Sequence, residues 1–147
     1  MGFFSSLDIG ASGLTAQRVR MDTISQNIAN INTTRTEDGT PYRRKDVVFE
    51  ERSDSNSFSS ILSNASDKLN SGQGVRVTKI VEDSTDFKKM FDPGHPDADA
   101  DGYVSMPNID VVTEMVNMIS ATRSYEANVT SINATKSMAL KALEIGK

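Results

Sequence analysis

Apolar residues fall into three rhythms along the chain. Between residues 5 and 31, Leu7, Leu14, Met21 and Ile28 recur every seven positions, and Ile24 and Ile31 follow three behind the last two. Two apolar positions per seven, spaced three and four, predict a helix with a coiled-coil seam. Gln17, Arg18, Arg20, Asp22 and Gln26 supply its polar face, and Ser5 or Ser6 is placed to cap its start. Gly10 and Gly13 interrupt it, each costing about 1 kcal/mol against alanine in a helix. With Ala11 and Ser12 they make a patch of small residues. That patch reads equally as a loose helix start and as a place where another backbone comes close.

From residue 32 to residue 107 the helical rhythm fades. Thr33, Thr34, Gly39 and Pro41 mark turns. YRRKDVVFEE (residues 42–51) predicts a strand around Val47 and Phe49. GVRVTKIVED (residues 74–83) alternates, with Val75, Val77 and, after a shift of register, Ile80 on one face. The two strands are expected to pair as a long hairpin. The serine-rich residues 53–71 form a mobile loop at its tip in this reading, with one helical turn at Phe58, Ile61 and Leu62. Arg43, Arg44 and Lys45 read as charges guarding an exposed strand edge.

The third rhythm runs from residue 108 to residue 145. Val111, Met118, Tyr125, Ile132 and Ala139 form one seven-residue series, and Met115, Thr122, Val129, Lys136 and Leu143 form its partner. No glycine or proline interrupts this stretch, and Asn108, following Pro107, is the expected N-cap. At 1.5 Å per residue the two helices would be about 40 and 55 Å long. Their ends cannot match, so the surplus must lie against the middle segment or another molecule. A two-helix pair also buries too little surface to be robust alone. The predicted fold is therefore mainly α with a small β insertion. Helices 5–31 and 108–145 form one discontinuous coiled-coil domain, and residues 32–107 form a central extended, β-rich segment.

Charge and composition narrow the function. A net charge of −4 argues against nonspecific nucleic-acid binding, which needs a basic surface. Cysteine is absent, which excludes disulfides and thiolate metal sites. No apolar run approaches the roughly 18 residues of a membrane span, and the first residues do not resemble a cleavable secretory signal. DPGHPDADADGY (residues 92–103) opens like a calcium loop, with Asp97, Asp99, Asp101 and Gly102 in ligand and turn positions. The closing glutamate is replaced by Asn108, and Pro93 and Pro96 forbid the helix that should precede the loop. This run is accordingly read as an extended acidic connector without metal. Its carboxylates are candidates to meet Arg43, Arg44 or Lys45 of another copy. His95 is the single histidine and lacks partners for a metal site. There is no nucleophile elbow, P-loop or dinucleotide fingerprint. No catalytic residue, cofactor or metal is expected, and the chain is not read as an enzyme.

Three stretches carry a family resemblance. ASGLTAQRVRMDTISQNIANINTTRT (residues 11–36) resembles the N-terminal signature of the bacterial flagellar axial proteins, which comprise rod, hook and related subunits. PYRRKDVVFEE (residues 41–51) and DPGHPDADADGYVSMPNIDVVTEMVNMISATRSYEANVTSINATKSMALKALE (residues 92–144) look like the proximal-rod members in particular. The pairing of SQNIAN with SYEAN makes the likeness specific. It implies a structural subunit of the basal-body rod that crosses the periplasm, exported unfolded by the flagellar type III apparatus. It also implies an antiparallel coiled coil of the two terminal helices, polymerising with other copies and other rod proteins. The expected assembly contacts on the first helix are Leu7, Leu14, Met21, Ile24, Ile28 and Ile31. On the last helix they are Val111, Met115, Met118, Tyr125, Val129, Ile132 and Leu143. The rival reading is a helical adaptor that binds a single partner through the same helices.

Overall fold

In the computed structural model, residues 3–52 and 73–145 are described. The serine-rich stretch read as a mobile loop, with its helical turn, lies outside them. The elements in chain order are α1 (Phe3–Ala29), β1 (Lys45–Glu51), β2 (Val75–Glu82), β3 (Lys88–Phe91), β4 (Tyr103–Met106) and α2 (Val111–Ile145). The mainly helical architecture with a small β insertion agrees with the periodicity. Helix α1 starts and stops two residues earlier than predicted, leaving Ile31 in the turn that follows it.

The helices run antiparallel. Gly10 lies against Ile132, Gly13 against Asn128, Met21 against Thr122 and Asn27 against Glu114, so positions climb on α1 as they fall on α2. The small-residue patch is explained by this packing. A β-carbon at Gly10 would sit 2.7 Å from Ile132 Cγ1, and one at Gly13 would sit 2.9 Å from Asn128 Nδ2. The glycines therefore exchange helix propensity for close approach of α2. Ser12 serves the other side of α1: its Oγ donates to the Ile9 carbonyl at 2.7 Å and accepts from the Val75 amide at 3.1 Å. Gly74, at φ +100°, brings the start of β2 onto this serine. Substituting Gly10→Val should destabilise the chain by about 1–3 kcal/mol through overpacking against Ile132. Urea denaturation followed by circular dichroism reads this directly.

Strands β1 and β2 form the expected antiparallel hairpin, and the register shift is present as a bulge opposite the Val48–Phe49 step. Val47, Phe49 and Glu51 stand across from Ile80, Val77 and Val75, so these residues share one face. A second hairpin, β3–β4, replaces the predicted acidic connector: Lys88, Lys89, Met90 and Phe91 pair with Met106, Ser105, Val104 and Tyr103. Its loop closes through Asp92 N to Gly102 O (3.0 Å), Asp99 N to Tyr103 O (2.8 Å) and Gly102 N to Asp99 O (2.8 Å). Gly102 is required here because its φ is +79° and a β-carbon would lie 3.0 Å from the Phe91 ring. The alternating aspartates thus belong to a hairpin loop. Two prolines and four aspartates in residues 92–103 mask the short strands on either side of the loop.

The lead-in to α2 also differs from expectation. Asp110 caps the helix: its Oδ2 accepts from Thr113 N at 3.1 Å and Thr113 Oγ1 at 2.6 Å. These bonds hold the Asp110 carboxyl below the usual carboxylate range. Asn108 is committed elsewhere, donating to Thr85 Oγ1 at 2.7 Å while its Oδ1 accepts from Arg44 N at 2.9 Å.

The apolar core is thin. Ala16, Ile24, Val47, Val104, Pro107, Ile109 and Ala121 are the buried apolar residues among those described. So small a core leaves most of the helical apolar surface to be covered in another way.

Candidate functional site

Among the described residues, the most deeply buried side-chain chemistry is polar and joins three elements. Asn27, near the end of α1, is 0% exposed, as is Glu114 in the first turn of α2. Asn27 Nδ2 donates to the Lys45 carbonyl at 2.8 Å, and Asn27 Oδ1 accepts from the Lys45 amide at 2.9 Å. One carboxamide therefore satisfies both backbone groups of the residue that opens β1, as a neighbouring strand would. The same Nδ2 donates to Glu114 Oε2 at 3.0 Å, and Tyr42 Oη donates to Asn27 Oδ1 at 3.2 Å.

Glu114 is held from the opposite side by Arg44, whose Nε donates to Oε1 at 2.9 Å. Arg44 also lies 3.6 Å from carboxylate oxygens of both Asp46 and Asp83. Burial works against its charge, but the Glu114 hydrogen bond and the three carboxylates outweigh it and strengthen the guanidinium's hold on its proton. Tyr42 is pushed above the ordinary phenol range by burial first, then by the charges of Glu82 and Glu114. Asp83 is held below the carboxylate range, mainly by backbone and side-chain hydrogen bonds from Thr85, with Arg44 contributing. These groups form a latch that ties α1, β1 and α2 at one end of the helix pair.

The latch changes the reading of the basic triplet. Arg44 is engaged inside the chain, not guarding an edge. Arg43 lies 4.4 Å over the Phe87 ring and donates to the Asp83 carbonyl at 3.1 Å. The acidic loop meets its own chain too: Asp97 accepts from Thr34 Oγ1 at 2.9 Å and lies 3.8 Å from Arg35. Among the described residues, no group of three His, Asp or Glu side chains could hold a metal ion.

The heptad positions separate into distinct environments. Ile24 is buried within the chain. Leu7, Leu14, Met21, Ile28 and Ile31 are half-buried, as are Met118, Tyr125, Val129 and Ile132. Val111, Met115 and Leu143 are exposed. Periodicity did not single out Val112, Val116 and Ile119, which are also exposed. They lie on a second apolar face of α2, outside the two heptad series. Counting every apolar residue by helical phase, not by heptad, would have found them.

Comparison with known proteins places this geometry. Residues 7–35, covering most of α1, match the family described as flagella basal body rod protein. Residues 100–145, covering β4 and α2, match the C-terminal family of the FlgEFG basal body rod proteins. The flagellar basal-body rod protein FlgC of Bacillus subtilis (strain 168) is 55% identical over 152 residues, covering all of both chains. The chain belongs to the FlgC family of flagellar basal-body rod proteins. FlgC of Borreliella burgdorferi is 49% identical, over 99% of this chain and 98% of its own. FlgC of Escherichia coli O6:H1 is 44% identical over the full length of both. As a FlgC-family member the chain is a structural protein of the flagellar basal-body rod. The latch joins the two matched segments, Asn27 in one and Glu114 in the other. No described helix is long and apolar enough to cross a membrane.

Proposed function

We propose that this chain is an assembling, non-catalytic subunit that joins copies of itself and other basal-body proteins in the rod. The contacts are made by the apolar faces of α1 and α2, which act as one coiled-coil unit, while the central segment braces neighbours. The chain travels unfolded through the flagellar type III export apparatus and takes its place in the shaft crossing the periplasm. The observation that supports this reading is the apolar surface left open on a long helix: Val112 is 68% exposed, Val116 60% and Leu143 72%. Large apolar side chains gathered on one element in this way mark an interaction surface. A thin internal core fits a subunit whose order is completed by its neighbours.

Truncation after Ala139 tests the proposal. The shortened chain should still be exported but should be missing from purified basal bodies, and the cells should be non-motile. Full motility with the truncated chain in place would favour the single-partner adaptor and overturn the assembly reading.

A further inference from the structure

A cleft of about 70 Å³ opens beside the latch. Arg20 and Thr23 line it from α1, Arg44, Lys45 and Asp46 from the entry to β1, and Asn117 from α2. Arg20 stands one turn before the buried Ile24 and is itself half-buried. Among the described residues it makes no hydrogen bond and no ion pair. A guanidinium only donates, so a half-buried one without an acceptor lacks a partner. Lys45 has no carboxylate partner among the described residues either; its Nζ lies 5.6 Å over the Tyr42 ring.

The carboxylates around the cleft are already committed. Glu114 accepts from Arg44 Nε at 2.9 Å and from Asn27 Nδ2 at 3.0 Å. Asp46 accepts from the Val47 amide at 2.8 Å through one oxygen and lies 3.6 Å from Arg44 with the other. Thr23 Oγ1 donates its proton to the Val19 carbonyl at 2.9 Å. Asn117 Nδ2 reaches Glu114 Oε1 only at 3.5 Å, the outer limit of a hydrogen bond, and is a spare donor. With Arg44 set against Glu114, Arg20 and Lys45 outnumber Asp46 on the cleft wall. The whole chain carries a charge of −4, so this cationic excess is local. A surplus of donors selects an acceptor-rich guest. Asp46 limits that guest's charge, since it repels a dianion about twice as strongly as a monoanion at the same distance. A carboxylate also matches the planar fork of a guanidinium.

We infer that this cleft is a carboxylate-binding site, in which Arg20 supplies the fork and Lys45 and Asn117 the flanking donors. A carboxylate held there ties α1 to the entry of β1 beside the latch and reinforces it from outside. A small free carboxylate and an acidic side chain of a neighbouring protein present the same chemistry to the cleft.

The test titrates the full chain with sodium acetate at pH 7.5, against sodium chloride at equal ionic strength. NMR follows the Arg20 Nε–H resonance, and circular dichroism follows the urea midpoint. Acetate should shift the resonance saturably, with a Kd on the order of 10 mM, and raise the midpoint more than chloride does. Arg20→Gln should weaken acetate binding about 10-fold, read from the midpoint. Arg20→Lys, which keeps the charge without the fork, should fall between, and it stands in if the glutamine variant is unfolded. Asp46→Asn should tighten binding, and Arg18→Gln, at an exposed position off the cleft, should not change it. An acetate effect no larger than that of chloride, or Arg20→Gln binding equal to that of the unaltered chain, would overturn the site. Inorganic phosphate binding more tightly than acetate would overturn the carboxylate assignment. Purified basal bodies then identify the source. Arg20→Gln subunits missing from them assign the guest to a neighbour's side chain, and normal incorporation assigns it to a free carboxylate; both uphold the site. The acetate titration does not depend on assembly, so its failure leaves the assembling-subunit reading intact.

Discussion

Replacing Glu114 by alanine should destabilise the chain by about 3–5 kcal/mol, the usual cost of removing one partner from a buried ion pair. The loss strikes on several sides. Arg44 keeps its charge with only 20% of its side chain exposed, and Asn27 Nδ2 loses its bond to α2. Asp46 and Asp83 lie 3.6 Å from Arg44, farther than the 2.9 Å contact that is removed, and do not replace it. Domains of this size are stable by about 5–15 kcal/mol, so the variant is expected near the edge of folding. Glu114→Gln should lose less, about 1–3 kcal/mol. It retains one acceptor for Arg44, but its amide then faces Asn27 Nδ2 donor to donor. Urea denaturation at neutral pH separates the two substitutions. A loss below about 1 kcal/mol for the alanine variant would show that the pair contributes no more than a surface bridge.

The latch is also the part of the molecule least visible from sequence. Helix α2 could be read because thirty-five residues without glycine or proline repeat one pattern. The β1–β2 hairpin could be read because Val75, Val77 and Ile80 announce both the alternation and its shift. Nothing local pairs Asn27 with Glu114, which are 87 residues apart. An asparagine near a helix end and a glutamate in a first turn each have ordinary local explanations. Tertiary contact gives them other work. Asn108 illustrates the same limit: the N-cap rule chose it, but bonds to Thr85 and Arg44 claim its amide, and Asp110 caps instead. For the candidate interface, the seven-residue repeat located the apolar positions without saying which would be covered. Covering depends on where α1 stops and on which face of α2 it takes, and both are set by Gly10, Gly13 and the latch.

Asn27→Asp is expected to be nearly as damaging as the loss of Glu114, and its pH dependence identifies the cause. The substitution keeps size and shape, so packing is undisturbed. It exchanges a donor for an acceptor at the point where Nδ2 lies 3.0 Å from Glu114 Oε2 and 2.8 Å from the Lys45 carbonyl. Two hydrogen bonds become repulsions, one of them between carboxylates, at a cost of about 3–4 kcal/mol at pH 7.5. Two carboxylates so close cannot both ionise freely, so the folded-state pKa of one rises above its unfolded value. The folded variant then binds more protons than the unfolded variant, and its stability increases as pH falls. Asp83 and Asp110, held below the usual range, act in the opposite sense, losing their stabilisation only as pH falls below the ordinary carboxylate range. Both proteins carry them, so they cancel in the comparison. The stability gap between the two proteins should therefore narrow by about 1–2 kcal/mol between pH 7.5 and pH 5, as one shared proton restores a hydrogen bond from position 27 to Glu114. Paired urea titrations at the two pH values give the gap directly. A gap that stays constant or widens in acid would mean the damage lies outside the Asn27–Glu114 contact. The register between α1 and α2 would then have to be held by the glycine-lined stretch at Ile132 and Asn128 alone.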